Sequence, residues 1–150
     1  MQSKLDTQLT EIKKTLSTLD RNCIPPVFER IGERYFYIQE DVKLNWTDAA
    51  DACRRIGGHL ASVQSREEFD AIAAKLEDSE KYFLGINDRE VMGKFVSEAS
   101  GRRAAFFKWY PSEPRSTNDR EHCLAIKERF MFLNNCTYKK KFICQADDKI

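Results

Sequence analysis

The sequence has neither an excess of charge of one sign nor a long apolar run, and each absence excludes a class of function. Lys plus Arg total 25 and Asp plus Glu total 24, so no net field favours nucleic acid or an anionic membrane as the partner. No apolar run approaches the roughly 20 residues that cross a bilayer. We therefore predict no nucleic-acid partner and no membrane span.

Catalytic motifs are also missing, which argues against an enzyme. His59 and His122 are the only histidines, and no His-Glu-x-x-His, Gly-x-Ser-x-Gly or phosphate-binding loop occurs. The cysteines, at positions 23, 53, 123, 136 and 144, lack the Cys-x-x-Cys and Cys/His spacings of zinc or redox sites. Disulfide bonds in an oxidising compartment explain them better. The composition predicts a secreted, extracellular, non-enzymatic protein.

The N-terminal residues carry an apolar repeat with alternating spacings of four and three. Its members are Leu5, Leu9, Ile12, Leu16 and Leu19. This spacing is that of a coiled-coil seam, so residues 1–22 are predicted to be a helical neck that makes a homo-oligomer. An amphipathic helix packed on its own domain would show the same pattern.

Cys23 continues the register of this seam, before Pro25 and Pro26 stop the helix. The other four cysteines can pair among themselves. Cys23 is therefore the candidate for an interchain disulfide, and a capped or free thiol is the alternative.

Residues 23–150 indicate one domain of the α+β class, with two helices early and several strands late. Thr47 or Asp48 can cap a first helix that runs through Cys53 to the glycine pair that follows it. Ser65-Arg66-Glu67-Glu68 is a capping box for a second helix. Strands are expected at Tyr35–Ile38, Tyr82–Ile86, Cys123–Ile126, Phe130–Leu133 and Lys141–Cys144. Between Asp88 and His122, turn formers and aromatic residues predict a long, structured loop.

Several motifs between Val27 and Ala146 resemble the C-type lectin-like family. Asn45-Trp46-x-x-Ala49-x-x-x-Cys53, followed by Gly58-His-Leu-Ala-Ser62, is similar to the family's first helix and the turn after it. Phe83-Leu84-Gly85-Ile86 resembles the family's Trp-Ile-Gly-Leu strand, with Phe in place of Trp. The tract from residue 28 to residue 38 is most similar to small secreted insect lectins.

The resemblance implies a looped antiparallel sheet flanked by two helices, and a glycan or glycoprotein as the partner. It also implies disulfides between Cys53 and Cys144 and between Cys123 and Cys136. Spacing alone does not choose among the three possible pairings.

In sugar-binding members of the family, five side chains hold a calcium ion, which needs roughly six to eight hard oxygens. The family's Glu-Pro-Asn falls on Glu113-Pro114-Arg115, its next glutamate on Glu121, and its Trp-Asn-Asp on Met131-Phe132-Leu133. At the auxiliary calcium site the acidic residues retained are Asp88 and Glu121. Carboxylates of that site are replaced by Met92, Ser116 and His122.

This pattern predicts no metal and no cofactor, with calcium possible only if other ligands rebuild the site. A shifted alignment would use Asn134 and Asn135 for that purpose. Arg115 could instead bind Glu113 or Glu121 and replace the charge of the ion, or else point into solvent.

The predicted ligand-binding residues are Glu113, Arg115, Asn118, Asp119, Glu121 and Phe132. Trp109 and Tyr110 are expected in the core more than at the ligand. The basic run 139–141, with Arg102 and Arg103, suggests a patch for anionic glycans, for which a solvated strand end is the alternative. The rival function is calcium-independent recognition of a protein surface.

Overall fold

The computed structural model describes residues 27–114 and 121–146. The predicted neck, residues 1–22, and Cys23 lie outside the described residues. The elements, in chain order, are β1 (Glu29–Ile31), β2 (Arg34–Leu44), α1 (Trp46–Arg55), β3 (Gly58–Leu60), α2 (Arg66–Ala73), β4 (Tyr82–Asn87), β5 (Val96–Ser97), β6 (Glu121–Lys127), β7 (Phe130–Asn135) and β8 (Lys140–Ala146). The predicted α+β class is confirmed, and no helix within the described residues is long and apolar enough to span a membrane.

One sheet has the strand order β1-β2-β8-β4-β6-β7, with β3 beside β8 and β5 beside β4. The sheet is mixed, so the prediction of an antiparallel sheet is wrong in one place: β8 and β4 are parallel. The reason is the path of the chain after β7, which crosses from the edge of the sheet to its centre before β8 begins. At the opposite edge, Glu29, Phe36 and Gln145 lie side by side on β1, β2 and β8.

Alternation along the strands divides the interior into two cores. On β4, Tyr82, Leu84 and Ile86 pack on the side of α2, while Phe83 packs on the side of α1, as a period of two requires. We call these two sides the α2 face and the α1 face of the sheet. Both faces are covered, which explains why every residue of β4 is buried.

Helix α1 begins earlier than the sequence suggested. Its N-cap is Asn45, not Thr47 or Asp48, because the Asn45 side chain accepts a hydrogen bond of 2.8 Å from the Asp48 backbone N–H. The backbone N–H of Trp46 donates to the carbonyl of Cys136 at 2.9 Å, which fixes the start of the helix against the chain that leaves β7.

Helix α2 has its predicted N-cap, since Ser65 accepts from the Glu68 backbone N–H at 3.1 Å. The Glu68 carboxylate turns away from the expected capping box and accepts from the backbone N–H of Gln64. It also accepts two hydrogen bonds from Arg34, at 2.7 and 2.9 Å. This ion pair, nine-tenths buried on both sides, joins β2 to α2.

Two disulfide bonds connect distant parts of the domain. Cys53 of α1 is bonded to Cys144 of β8, and Cys123 of β6 to Cys136 after β7. These are the pairs that the family resemblance implies. The first closes a loop of 91 residues and the second a loop of 13, so the first constrains the unfolded chain more strongly.

Candidate functional site

The long segment between β4 and the edge of the sheet is ordered largely by its own aromatic side chains. Phe107 and Trp109 are stacked with ring centroids 5.3 Å apart, and Phe95 packs against both. These rings cover the α2-side core. Near the start of the segment, Asp88 accepts a hydrogen bond from the Gly93 backbone N–H at 2.8 Å, which closes a turn.

At the end of this segment, residues 108–110 run along the free edge of β7. Met131 donates its backbone N–H to the Lys108 carbonyl at 2.8 Å, and Tyr110 donates to the Met131 carbonyl at 3.0 Å. Neighbouring residues of an extended chain point to opposite faces. Trp109 consequently packs on the core, as expected, whereas Tyr110 does not.

Tyr110 is 41% exposed, and its ring is stacked on that of Phe132 at 4.8 Å. Phe130 meets the same ring edge-on at 5.5 Å. The expectation that Tyr110 belongs to the core is therefore wrong. Its backbone pairing with Met131 turns the ring outward.

The structure brings Glu113 to the same place. Its Oε1 accepts a hydrogen bond of 3.1 Å from the backbone N–H of Leu133, the residue after Phe132. The Glu113–Pro114 peptide bond is cis. We call Tyr110, Glu113 and Phe132 the platform.

The remaining predicted ligand residues are only partly described. Glu121 begins β6 and pairs with Asn135 of β7, near the Cys123–Cys136 disulfide. Three of the predicted ligand residues lie outside the described residues: Arg115, Asn118 and Asp119. Ser116, at the expected auxiliary calcium site, also lies outside them. The proposed pairing of Arg115 with Glu113 or Glu121 therefore stays a prediction.

Oxygen atoms near the expected calcium position are engaged by donors of the protein. The Asn134 side-chain oxygen accepts from Lys81 Nζ at 3.3 Å. The Asn135 oxygen accepts from the backbone N–H and the hydroxyl of Thr137, at 2.8 and 2.6 Å. The side chains of Phe132 and Leu133 contain no oxygen, and the Phe132 carbonyl accepts a hydrogen bond from Asn134 at 3.1 Å. Within residues 27–114 and 121–146, no three His, Cys, Asp or Glu side chains are grouped as metal ligands.

At the position expected for the auxiliary calcium site, His122 lies against the retained Asp88. Nδ1 of His122 lies 3.0 Å from Oδ1 of Asp88, a side chain that is only 3% exposed. The second oxygen of Asp88 accepts from Gly93. Each oxygen of the Asp88 carboxylate therefore has a partner within the protein: the His122 imidazole for one, and the Gly93 backbone N–H for the other. Cys123, beside this histidine, is disulfide-bonded and is not a thiolate nucleophile.

The suggested basic patch is divided by the fold. Lys141 Nζ lies 3.1 Å from Glu40 and 3.5 Å from Glu77 on the α2 face, and the hydrogen bond to Glu40 raises the pKa of Lys141. Lys140 points to the α1 face. Arg102 and Arg103 line a different depression, so the five residues do not form one surface.

No motif pointed to Phe130 as a neighbour of the platform, or to a set of lysines that joins Lys140 on the α1 face. Only the register between strands places them, and no local motif carries that register. A depression of about 650 Å³ lies between α1 and β5. There Arg89 covers the ring of Trp46 at 4.8 Å.

Comparison with known proteins gives a consistent result. Residues 42–146 match the family described as Lectin C-type domain. The chain is 36% identical over 121 residues to accessory gland protein Acp29AB of Drosophila simulans, covering 80% of this chain and 50% of that protein. It is also 36% identical to C-type lectin 37Db of Drosophila melanogaster, covering 78% and 80%.

Among solved structures, the carbohydrate-recognition domain of the mouse scavenger receptor C-type lectin superposes with a TM-score of 0.75. The sequences are 21% identical, and the match covers 83% of this chain and 98% of that domain. At this identity the likeness concerns the fold. The chain spans about half the length of the Acp29AB relative.

Proposed function

The chain belongs to the C-type lectin family and is not an enzyme, and from this premise we propose that it is a secreted module that binds glycans at the platform without calcium. The observation that carries the proposal is the exposed ring of Tyr110, stacked on Phe132 beside the carboxylate of Glu113. An aromatic face with polar groups at its rim suits a sugar ring, which has an apolar face and hydroxyls at its edge.

The arrangement of oxygens supports binding without calcium. The ion needs roughly six to eight hard oxygens. The Glu113 carboxylate accepts a hydrogen bond from the backbone of Leu133. The Asp88 carboxylate is in contact with His122 and Gly93. The side chains at positions 132 and 133 are apolar. These contacts support a site in which the protein binds the sugar directly.

Secretion and self-association complete the proposal. Two disulfides within one domain are typical of oxidising compartments, and C-type lectins and an accessory gland protein are among the relatives. Residues 1–22 as a coiled-coil neck, with Cys23 as an interchain bridge, would join the sites of two or more chains. Joining two weak sites can raise avidity by about 10² or more.

Recognition of a protein surface is the second candidate, and a separate observation favours it. Val91 and Met92, in the turn that Asp88 closes, are 55% and 68% exposed. Adjacent exposed apolar side chains of this kind are more common at protein interfaces than elsewhere on a surface.

The test is a glycan array probed with the nonreduced full chain, once in calcium and once in EDTA. We expect equal signals in both, loss of at least about ten-fold in Tyr110→Ala from the lost stacking area, and little change in the matched surface variant Met92→Ala. A Cys23→Ser variant should give a weaker signal through reduced avidity.

Loss of binding in EDTA would overturn the calcium-free site. An unchanged signal in Tyr110→Ala would overturn the platform as the contact. Silence under both conditions would favour the protein-binding candidate, which Met92→Ala would then impair.

A further inference from the structure

Five lysines from separate parts of the chain line one shallow depression on the α1 face of the sheet. The depression measures about 300 Å³, and its lining includes Lys43, Lys81, Lys127, Lys139, Lys140 and Glu80. We call the five lysines the lysine cluster. Strand alternation places them together: Lys81 lies two residues before Phe83, and Lys127 two residues after Ala125, both of which are buried in the α1-side core.

The lysine cluster is only slightly neutralised by its surroundings. Glu80 lies 3.4 Å from Lys43 Nζ, and Lys81 Nζ donates to the neutral amide of Asn134 at 3.3 Å. Among residues 27–114 and 121–146, no carboxylate forms an ion pair with the other four lysines. Among the described residues, Glu80 is thus the one carboxylate paired with the cluster, and it leaves four of the five like charges without an acidic partner there.

Lys140 lies at the most crowded point of the cluster. Its Nζ is 5.7 Å from the ring centroids of both Phe83 and Tyr138, so the ammonium group lies over two aromatic rings. Burial, followed by the charges of Lys81 and Lys43, lowers the pKa of Lys140 to about 8. An anion bound in the depression would relieve this repulsion.

We propose that the lysine cluster is a second binding site, which takes a sulfated polysaccharide and is separate from the platform. A single sulfate would leave much of the positive charge unneutralised, whereas a polymer of sulfate esters offers several anions in a row. Lysines are point charges on flexible stems, which suits anions at variable spacing.

The redox chemistry of the domain favours a polysaccharide over nucleic acid. Both disulfides indicate an oxidising, extracellular compartment, where the accessible polyanions are chiefly polysaccharides. The near-zero net charge of the whole chain also means that attraction would depend on this local cluster and not on the overall field.

The test uses fluorescein-labelled heparin, titrated into the full chain at about 0.15 M salt. Lys81→Gln/Lys140→Gln is compared with Arg102→Gln/Arg103→Gln, which removes the same charge from another depression. We expect the cluster variant to lose at least about ten-fold in affinity and the arginine variant to stay within about two-fold.

Two results would overturn the proposal. Equal losses in both variants would show a response to net charge alone. Displacement of heparin by an equal charge concentration of duplex DNA would show a site for polyanions in general. Binding of neutral glycans should persist in the cluster variant, because that binding is assigned to the platform. The experiment can therefore disprove either proposal without disproving the other.

Proton uptake gives a second readout, which a folding defect would not imitate. The groups that face Lys140 are Lys43, Glu80, Lys81, Lys127, Tyr138 and Lys139. A bound polyanion should raise the pKa of Lys140 above its value of about 8 in the ligand-free protein. Heparin binding at pH 8 should therefore take up protons and should weaken as the pH rises further.

Calorimetry in two buffers of different ionisation enthalpy measures this uptake. Lys140→Arg keeps the charge but does not titrate near pH 8, so it should retain affinity within about two-fold and lose the uptake. An unmodified chain that takes up no protons, or a Lys140→Arg variant that takes up as many, would contradict the assignment.

Discussion

The framework of the domain and its long segment are stabilised by different kinds of contact. The framework consists of α1, α2 and strands β1–β4 and β6–β8, with two apolar cores that are almost fully buried. The segment, residues 88–114, contains one two-residue strand. It depends on half-buried rings and on single hydrogen bonds, such as those of Asp88 to Gly93 and of Glu113 to Leu133.

This difference shows how stability and recognition are separated in the domain. Burial of apolar surface is non-directional and is shared among many side chains. Single polar contacts are directional, and the loss of one changes the local geometry without emptying a core. Substitutions in the segment should therefore change the proposed ligand contacts while the framework continues to fold.

The disulfides should contribute most to stability, and the two bonds differ in the length of chain that they close. Removing the 91-residue loop closure with Cys53→Ala/Cys144→Ala should cost about 4.5 kcal/mol in the free energy of unfolding. Removing the 13-residue closure with Cys123→Ala/Cys136→Ala should cost about 3 kcal/mol. Urea titrations measure the free energy of unfolding of both double variants. Equal losses would contradict the expected dependence on loop length.

Two glycine-to-alanine substitutions, one in the framework and one in the segment, compare how each region tolerates an added methyl group. In the framework, a Cβ at Gly58 would overlap the backbone carbonyl of Gln145, so Gly58→Ala should cost at least about 3 kcal/mol. In the segment, Gly93 has a φ of +84° with nothing within 4 Å of a Cβ, so Gly93→Ala should cost about 1 kcal/mol from backbone strain alone. Thermal unfolding followed by circular dichroism checks this order. A larger loss in Gly93→Ala would contradict it.

The smallest change in stability is expected from two adjacent lysines of β8, Lys140 and Lys141, whose side chains point to opposite faces of the sheet. The pKa of Lys140 is about 8 in the folded state, against 10.5 normally, so the unfolded chain binds more protons between these values and stability rises with pH there. Lys140→Met should stabilise the protein at pH 7 by about 1 kcal/mol after allowance for solvent screening, and this gain should shrink from about pH 8 to 10.5.

Lys141→Met is the matched control. The pKa of Lys141 is raised by Glu40, so its contribution is present below about pH 10.5 and is lost at higher pH. This variant should destabilise the protein at pH 7. Urea midpoints at pH 7 and pH 10 measure both lysines, and shifts of the same sign at pH 7 would disprove the assignment of opposite faces.

Much of the framework could be predicted from the sequence because its signals are local. The Ser65 cap lies within one turn of the residues that it affects, and the apolar run of β4 is continuous. The short strands β1 and β3 were missed because three residues carry no periodicity. They are strands only because Phe36 and Cys144 lie opposite them.

The candidate site could be predicted only in part. The family resemblance located Glu113 and Phe132, but their contact with Tyr110 depends on pairing between residues 108–110 and β7. The lysine cluster was not predictable as a unit, because its members come from four stretches of the chain that only the sheet register unites. The predicted run 139–141 was misleading, since adjacent residues of a strand point to opposite faces.

The side-by-side position of Glu29, Phe36 and Gln145 on β1, β2 and β8 has an architectural consequence. Glu29 on β1 is five strand spacings, or roughly 24 Å, from β7 and the platform, whereas Gln145 on β8 is three spacings, or roughly 14 Å, from them. A tether joined at residue 27 therefore pulls at the edge remote from the platform, whereas one joined at residue 146 pulls on the middle of the sheet.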